Sequence, residues 1–207
     1  MTFRSDQEAF WAGTFGDEYA KRNRHDELLA SNLALFSRAL TAAGVLTSCI
    51  EFGANVGMNL KALKLLFPGL EQHAVEINVQ AAAELSAFLP GGHVHQGSLL
   101  EFVPTRTWDL VLIKGVLIHI RPDLLPDVYD LLYRTTGRCL LVCEYYNPTP
   151  VSIPYRGHVE RLFKRDFCGE LLDRHRDLRL IDYGFVYHRD PNFPQDDVNW
   201  FLLGKPV

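Results

Sequence analysis

Apolar positions recur at two alternating intervals along this chain. From Asp26 to Ala43, Leu28, Leu29, Leu33, Leu35, Phe36 and Leu40 follow roughly helical spacing, and Gly44 closes that helix. "SCIEFG" then reads as a short buried strand, and Val56 to Phe67 as a helix stopped by Pro68-Gly69. "EQHAVEIN" predicts a second strand, Val79 to Phe88 a helix ended by Pro90-Gly91-Gly92, and "HVHQG" a third strand. "WDLVLIKG" is apolar almost throughout, as a strand covered on both faces must be. Pro122 to Thr135 is a helix with proline at its start, and "RCLLVCEYY" is a fifth strand. Five alternations of strand and helix predict parallel pairing through right-handed crossovers, hence an α/β layered fold.

The two ends differ in texture. Residues 1–25 are polar, punctuated by Phe10, Trp11, Phe15 and Tyr19. After Tyr146, "NPTPVSIPYRGH" carries three prolines and predicts a long loop. "KRDFCGELLDRH" is helical, and "LRLIDYGFVYH" and "VNWFLLGKP" read as two strands forming a hairpin at one sheet edge. The expected organisation is a single domain over 1–207. Residues 1–43 supply a lid and helix, 44–146 a core, and 147–207 a loop, helix and hairpin.

Length and composition narrow the classes. The 207 residues suit one domain with a sizeable core, and 47% hydrophobic with 22% charged residues is ordinary for a soluble globular protein. A formal net charge of −4 gives no bulk field toward nucleic acid or an anionic membrane, so neither is an expected partner. No uninterrupted apolar run approaches the ~20 residues of a membrane span. The N-terminus carries charges where a secretory leader needs an apolar run. Cys49, Cys139, Cys143 and Cys168 form no CxxC pair, and three lie in apolar runs. A reducing compartment, the cytoplasm, is the expectation. The oligomeric state is left open.

The chemistry begins at "CIEFGANVGMNLKAL". A glycine turn after the first strand lets backbone N–H groups and a helix N-terminus face a ligand. A mononucleotide P-loop needs a lysine and hydroxyl at GxxxxGK[ST] spacing, which is missing here. A dinucleotide GxGxxG counted from Gly53 finds Asn55 and Met58 instead, and Asn55 would crowd a pyrophosphate. The third pattern is E-x-G-x-x-x-G, running Glu51-Phe52-Gly53-Ala54-Asn55-Val56-Gly57. Glu76 ends the second strand 23 residues after Gly53, where an acid can accept both ribose hydroxyls.

The third pattern resembles motif I of class I S-adenosylmethionine-dependent methyltransferases. "WDLVLIKGVLIHI" is similar to the family's fourth-strand region, with Asp109, Gly115, Val116, His119 and Ile120 in the matching places. "HQGSLLEF" stands where the adenine-contacting turn is expected, with Ser98 in place of the family's frequent aspartate. "FWAGTFGDEYAKRN" and "EYYNPTPVSIPYRGHVERLFKRDFCGELL" resemble the pseudaminic acid biosynthesis-associated methylases, and that likeness runs nearly end to end. The resemblance implies a Rossmann-like methyltransferase fold. Its mostly parallel sheet has about seven strands, an antiparallel C-terminal hairpin and helices on both faces. The implied cofactor is S-adenosyl-L-methionine, leaving as S-adenosyl-L-homocysteine. Its ammonium would pair with Glu51.

The implied cofactor contacts follow strand by strand. After the first strand come Glu51, Phe52, Gly53, Asn55, Gly57 and Asn59, and after the second Glu76 and Ile77. Gly97, Ser98 and Leu99 follow the third, and Lys114, Gly115 and Val116 the fourth. Trp11, Tyr19 and Arg22 would come from the lid. Glu144 ends the fifth strand on the same rim. The loop after it should wall the acceptor side, with Tyr145, Asn147, Tyr155, Arg156, Lys164 and Arg165 as substrate contacts. His119 and His158 lead as general base, and Tyr146 is the third catalytic candidate. His93 and His95 share a strand face but have no Cys or carboxylate at diagnostic spacing, so no metal is expected.

The implied reaction is methyl transfer to a small acceptor, first a hydroxyl of a sugar or sugar conjugate in bacterial surface-glycan metabolism. Methylation of a carboxylate or amine on another metabolite is a second reading. A nicotinamide-dependent oxidoreductase and a non-catalytic scaffold are rivals from other classes.

Overall fold

The structure, a computed structural model, describes residues 3–22 and 25–206, without the side chains of residues 158–160. Five parallel strands form its centre: β1 (Ser48–Phe52), β2 (Glu71–Glu76), β3 (Val94–Gln96), β4 (Trp108–Lys114) and β5 (Thr136–Glu144). β8 (Arg179–Val186) and β9 (Val198–Gly204) complete a seven-stranded sheet of order β3-β2-β1-β4-β5-β9-β8. β9 runs antiparallel to both of its neighbours, so the C-terminal hairpin inserts its second strand inside the sheet and leaves β8 at the edge.

Alternation along the strands builds two cores. Leu110 and Leu112 of β4 face one side, with Leu35 and Phe36 of α3 (Asp26–Ala39), Leu60 and Leu63 of α4 (Met58–Leu66) and Leu85 of α5 (Val79–Phe88). Val111 and Ile113 face the other, with Val128 and Leu132 of α6 (Leu125–Thr135) and Leu171 of α7 (Phe167–Arg174). Apolar residues at successive β4 positions are therefore needed on both faces, which accounts for the continuous run in its sequence. All five residues of β1 are buried, Glu51 among them.

Three expectations change. Residues 147–158 are not one long loop: β6 (Val151–Tyr155) and β7 (His158–Lys164) form a separate antiparallel hairpin around Arg156 and Gly157. Both turn residues have positive φ, which closes the chain tightly. The helix expected over 122–135 starts as a 3₁₀ turn at Pro122–Leu124 and becomes α-helical at Leu125. The helix expected over 26–43 stops at Ala39, and the chain turns before Gly44 at φ +70°.

The N-terminal segment folds as α1 (Asp6–Ala12) and α2 (Thr14–Arg22). Ser5 and Glu8 make a capping box that starts α1. Asn78, at the head of α5, donates to Asp17 Oδ1 at 2.7 Å and so ties α2 to the sheet's helix layer. Arg4 reaches Asp127 of α6 at 3.1 Å. Gly16 lets α2 lie close both to α1 and to the head of α5: a Cβ there would lie 1.9 Å from the Trp11 carbonyl oxygen and 2.9 Å from Asn78 Nδ2. Gly16→Ala should therefore undock this helical pair, costing roughly 1–3 kcal/mol. Faster hydrogen exchange over residues 6–22 checks it; exchange at the wild-type rate would refute this account of the docking.

Candidate functional site

The ends of β1, β2, β3 and β4 open into a cavity of about 220 Å³, closed from above by α1 and α2. Gly53 begins the turn after β1 at φ +73°, and a Cβ there would sit 2.4 Å from Val116 Cγ2. Glycine is thus required by both conformation and space. Asn55 follows with φ +49°, a conformation asparagine tolerates.

Three buried carboxyl groups lie near the ends of β1, β2 and β5. Glu51 accepts from Asn59 Nδ2 at 2.5 Å, while its Oε2 is buried without a hydrogen-bond partner. Burial pushes its pKa up to about 8, against the Asn59 bond and the Lys114 charge. Glu76 accepts the backbone N–H of Asn55 and of Asn78, each at 2.7 Å. Burial raises its pKa despite those bonds. Glu144 accepts from Val116 and Leu117 N–H at 2.9 and 2.8 Å, and burial takes it up to about 7. It shapes the 3₁₀ turn Leu117–His119, which carries the candidate imidazole.

His119 is buried between Trp11 and Tyr155, with ring centroids 4.6 and 5.0 Å away. Its Nδ1 lies 2.6 Å from the Arg161 carbonyl on β7, so Nδ1 carries the proton and Nε2 is an acceptor. Burial lowers its pKa to about 4, leaving the ring neutral at physiological pH. The β6–β7 hairpin thus orients His119 through a backbone oxygen and the Tyr155 ring.

Of the sequence-derived cofactor residues, Trp11, Tyr19, Gly53, Asn55, Asn59, Glu76, Ile77, Gly97, Ser98, Leu99, Lys114, Gly115 and Val116 line the cavity, and so does His119. Glu51 lies buried beneath Asn59. Phe52 faces the second core and Gly57 opens α4 at φ +79°, so both shape the turn from outside the cavity. Arg22 does not reach the cavity either: it lies over the Phe15 ring at 5.9 Å.

The acceptor-side candidates are not assembled in the same way. Tyr155 does not line the cavity but packs against His119, which does, and against Phe15 of α2. Tyr145 is covered by Lys164 at 4.8 Å, Arg165 pairs with Glu170 at 2.6 Å, and Asn147 bonds Thr149 within its own turn. Tyr146 packs toward Phe201, away from the cavity, and Arg156 lies at the hairpin turn over Tyr155. These side chains are thus engaged with protein neighbours rather than gathered at the cavity. The side chain of His158 lies outside the described residues. Asp109 sits at the opposite end of β4, accepting from Thr47 and Ser48.

Glu8, Asn32 and Gln195 line the cavity without having been singled out in the sequence. Asn32 is buried, accepts from Gln195 at 3.0 Å, and keeps its own Nδ2 without a partner. The capping pattern Ser5-x-x-Glu8 was a readable signal; the approach of residues 32 and 195 was not. His93 and His95 both lie toward the second core, His93 stacked on His73 and His95 edge-on to Phe102. Glu71, His73 and His93 each bring a ligand atom within 4.8 Å of the others, with the two rings stacked at 4.0 Å and 12° and His93 Nδ1 already 2.8 Å from the Gln72 carbonyl. Glu71 beside them already holds Arg106 through both oxygens.

No protein-family model matches the chain, and no curated protein matches it significantly. Solved structures do. One is 1,6-didemethyltoxoflavin-N1-methyltransferase of Burkholderia thailandensis, with its namesake compound and S-adenosylhomocysteine bound (TM-score 0.73, 15% identity, 100% of this chain and 93% of that one). Another is magnesium protoporphyrin IX methyltransferase of Synechocystis PCC 6803 with bound S-adenosylmethionine (TM-score 0.70, 13% identity, 100% of each chain). A third is mitomycin 7-O-methyltransferase (TM-score 0.69, 16% identity), where 98% of this chain spans 61% of the other's length. The fold is that of S-adenosylmethionine-dependent methyltransferases.

The raised pKa of Glu51 has a stability consequence. A group held above its unfolded value stabilises fully below that value, about 4.5, and loses the contribution as pH rises through about 8. Glu51→Gln should flatten this decline in the ligand-free protein. Urea unfolding across about pH 5–8 measures it, and an unchanged slope would refute the assignment.

Proposed function

We propose that this chain is an S-adenosylmethionine-dependent methyltransferase whose cofactor lies across the ends of β1, β2 and β3. The observation that carries the reading is the buried, unpartnered Oε2 of Glu51. An ammonium beside it supplies the missing charge and favours the ionised carboxylate. Glu76, at the next strand end, retains acceptor capacity for two ribose hydroxyls beyond its two backbone bonds. A nicotinamide dinucleotide would instead bring a pyrophosphate toward Glu51, which raises its pKa further and supplies no cation for Oε2.

Bound S-adenosylmethionine supplies a methyl carbon activated by a sulfonium. The chain's own part is alignment, exclusion of water and handling of a proton. α1 and α2 roof the cavity, and Trp11 places an aromatic ring beside His119. His119, neutral and protonated on Nδ1, presents Nε2 to take the proton of an acceptor hydroxyl. The acceptor in this reading is a hydroxyl of a sugar or sugar conjugate in nonulosonic or pseudaminic acid-associated bacterial metabolism. Both chain ends resemble that methylase group, and an available neutral base suits a hydroxyl where a carboxylate acceptor needs none. A reducing, cytoplasmic setting belongs to the reading and is supported by four buried free thiols. Among the described residues, no helix is long and apolar enough to cross a membrane.

Thermal unfolding with S-adenosylhomocysteine at ~100 times its dissociation constant should show about 2.7 kcal/mol of added stability. Glu76→Ala should remove it. Stabilisation by NAD(H) alone would favour the oxidoreductase, and none by either the scaffold.

Once an acceptor is found among sugars and nucleotide sugars, His119→Ala should lower kcat about 10²–10⁴-fold while S-adenosylhomocysteine still binds. An unchanged kcat would point to an acceptor that gives up no proton, such as a carboxylate.

A further inference from the structure

We propose that Glu8, on the roof of the cavity, reads the exocyclic amine of the adenine base, a role that rests on the S-adenosylmethionine reading above. Strand order sets the direction of the ligand. β1, β2 and β3 are consecutive neighbours in the sheet. Glu51 at the first end takes the ammonium and Glu76 at the second takes the ribose. The base must then continue to the third, where Ile77, Gly97 and Leu99 line the cavity.

The polar groups at that third end are unusual. Ser98 accepts from Leu100 N–H at 3.0 Å and donates its only hydroxyl proton to Glu8 Oε1. Glu8 Oε2 accepts the backbone N–H of Arg4 and Ser5 at 2.6 and 3.0 Å. Capping α1 therefore occupies one carboxylate oxygen. The other is held across the cavity end by Ser98, in a side chain that is 7% exposed and lines the cavity. An ionised carboxylate oxygen bonded once keeps a further acceptor position. A 6-amino group donates to it, whereas a 6-oxo group would meet it acceptor to acceptor. Glu8 contacts the base in this arrangement, and Ser98 is a positioning residue. Because Glu8 belongs to α1, the same contact links base recognition to closure of the roof.

The test compares S-adenosylhomocysteine with its deaminated analogue, S-inosylhomocysteine, by isothermal titration of the full chain. The wild type should prefer the adenine compound by ~10–100-fold, the range of a hydrogen bond to a charged group. Glu8→Gln keeps a capping oxygen for α1 and turns an amide N–H toward the base, so the ligand-free melting temperature should stay within ~2 °C. Its preference should fall below ~3-fold or invert, because an amide donor faces the amine poorly and the oxo group well. No preference in the wild type overturns the proposal without any variant. A wild-type preference retained by Glu8→Gln overturns it as well and leaves Glu8 as a helix cap alone. Failure of the wild type to bind either compound overturns the cofactor reading and this proposal together.

Discussion

The carboxylate of Glu76 receives backbone N–H groups from two turns that follow different strands, Asn55 after β1 and Asn78 after β2. This one group fixes how the glycine turn lies against the head of α5. Asn78, held in this way, caps α5 through Ala81 N–H at 3.0 Å and grips Asp17 of α2 through its amide. The cavity floor and its roof therefore meet at neighbouring residues. Losing the carboxylate would orphan a buried donor and a half-buried one at once, the costly half of hydrogen-bond energetics.

The site also gathers three buried carboxyl groups. Glu51, Glu76 and Glu144 end three strands, all buried and all with raised pKa values. Lys114 lowers the pKa of Glu51 and of Glu144, but burial outweighs it for both. A ligand bringing positive charge would draw these groups into their ionised forms, and an ammonium and a sulfonium are two such charges on one small molecule. The opposite end of the sheet holds a different kind of cluster. There Glu71 is neutralised by Arg106 and packed beside stacked histidines, and it offers nothing comparable to the free oxygen of Glu51.

The five parallel strands, the crossover helices and the strand-end acids were legible in the sequence because each is governed locally. A strand buried on both faces must be apolar throughout, a turn with positive φ and no room for a Cβ must be glycine, and a helix stops at Pro-Gly. Gly53, Glu51 and Glu76 follow from those rules and from their places at the ends of consecutive strands. Pairing between distant segments is decided by the whole chain. Three prolines concealed the β6–β7 hairpin, because proline is tolerated in a short two-stranded ribbon where free edges abound. Arg165 pairs with Glu170, Lys164 lies over Tyr145 and Asn147 bonds Thr149, so all three are engaged locally and away from the cavity. The Arg161 carbonyl that sets the His119 tautomer, the Gln195 amide beside Asn32 and the Glu8 oxygen on Ser98 span 42, 163 and 90 residues. The sequence by itself determined the layers, the glycine turn and the acids at the strand ends, since local sterics and burial demand those residue types. Only the tertiary structure decided which side chains close the cavity, because no spacing rule records which distant segments will pack together.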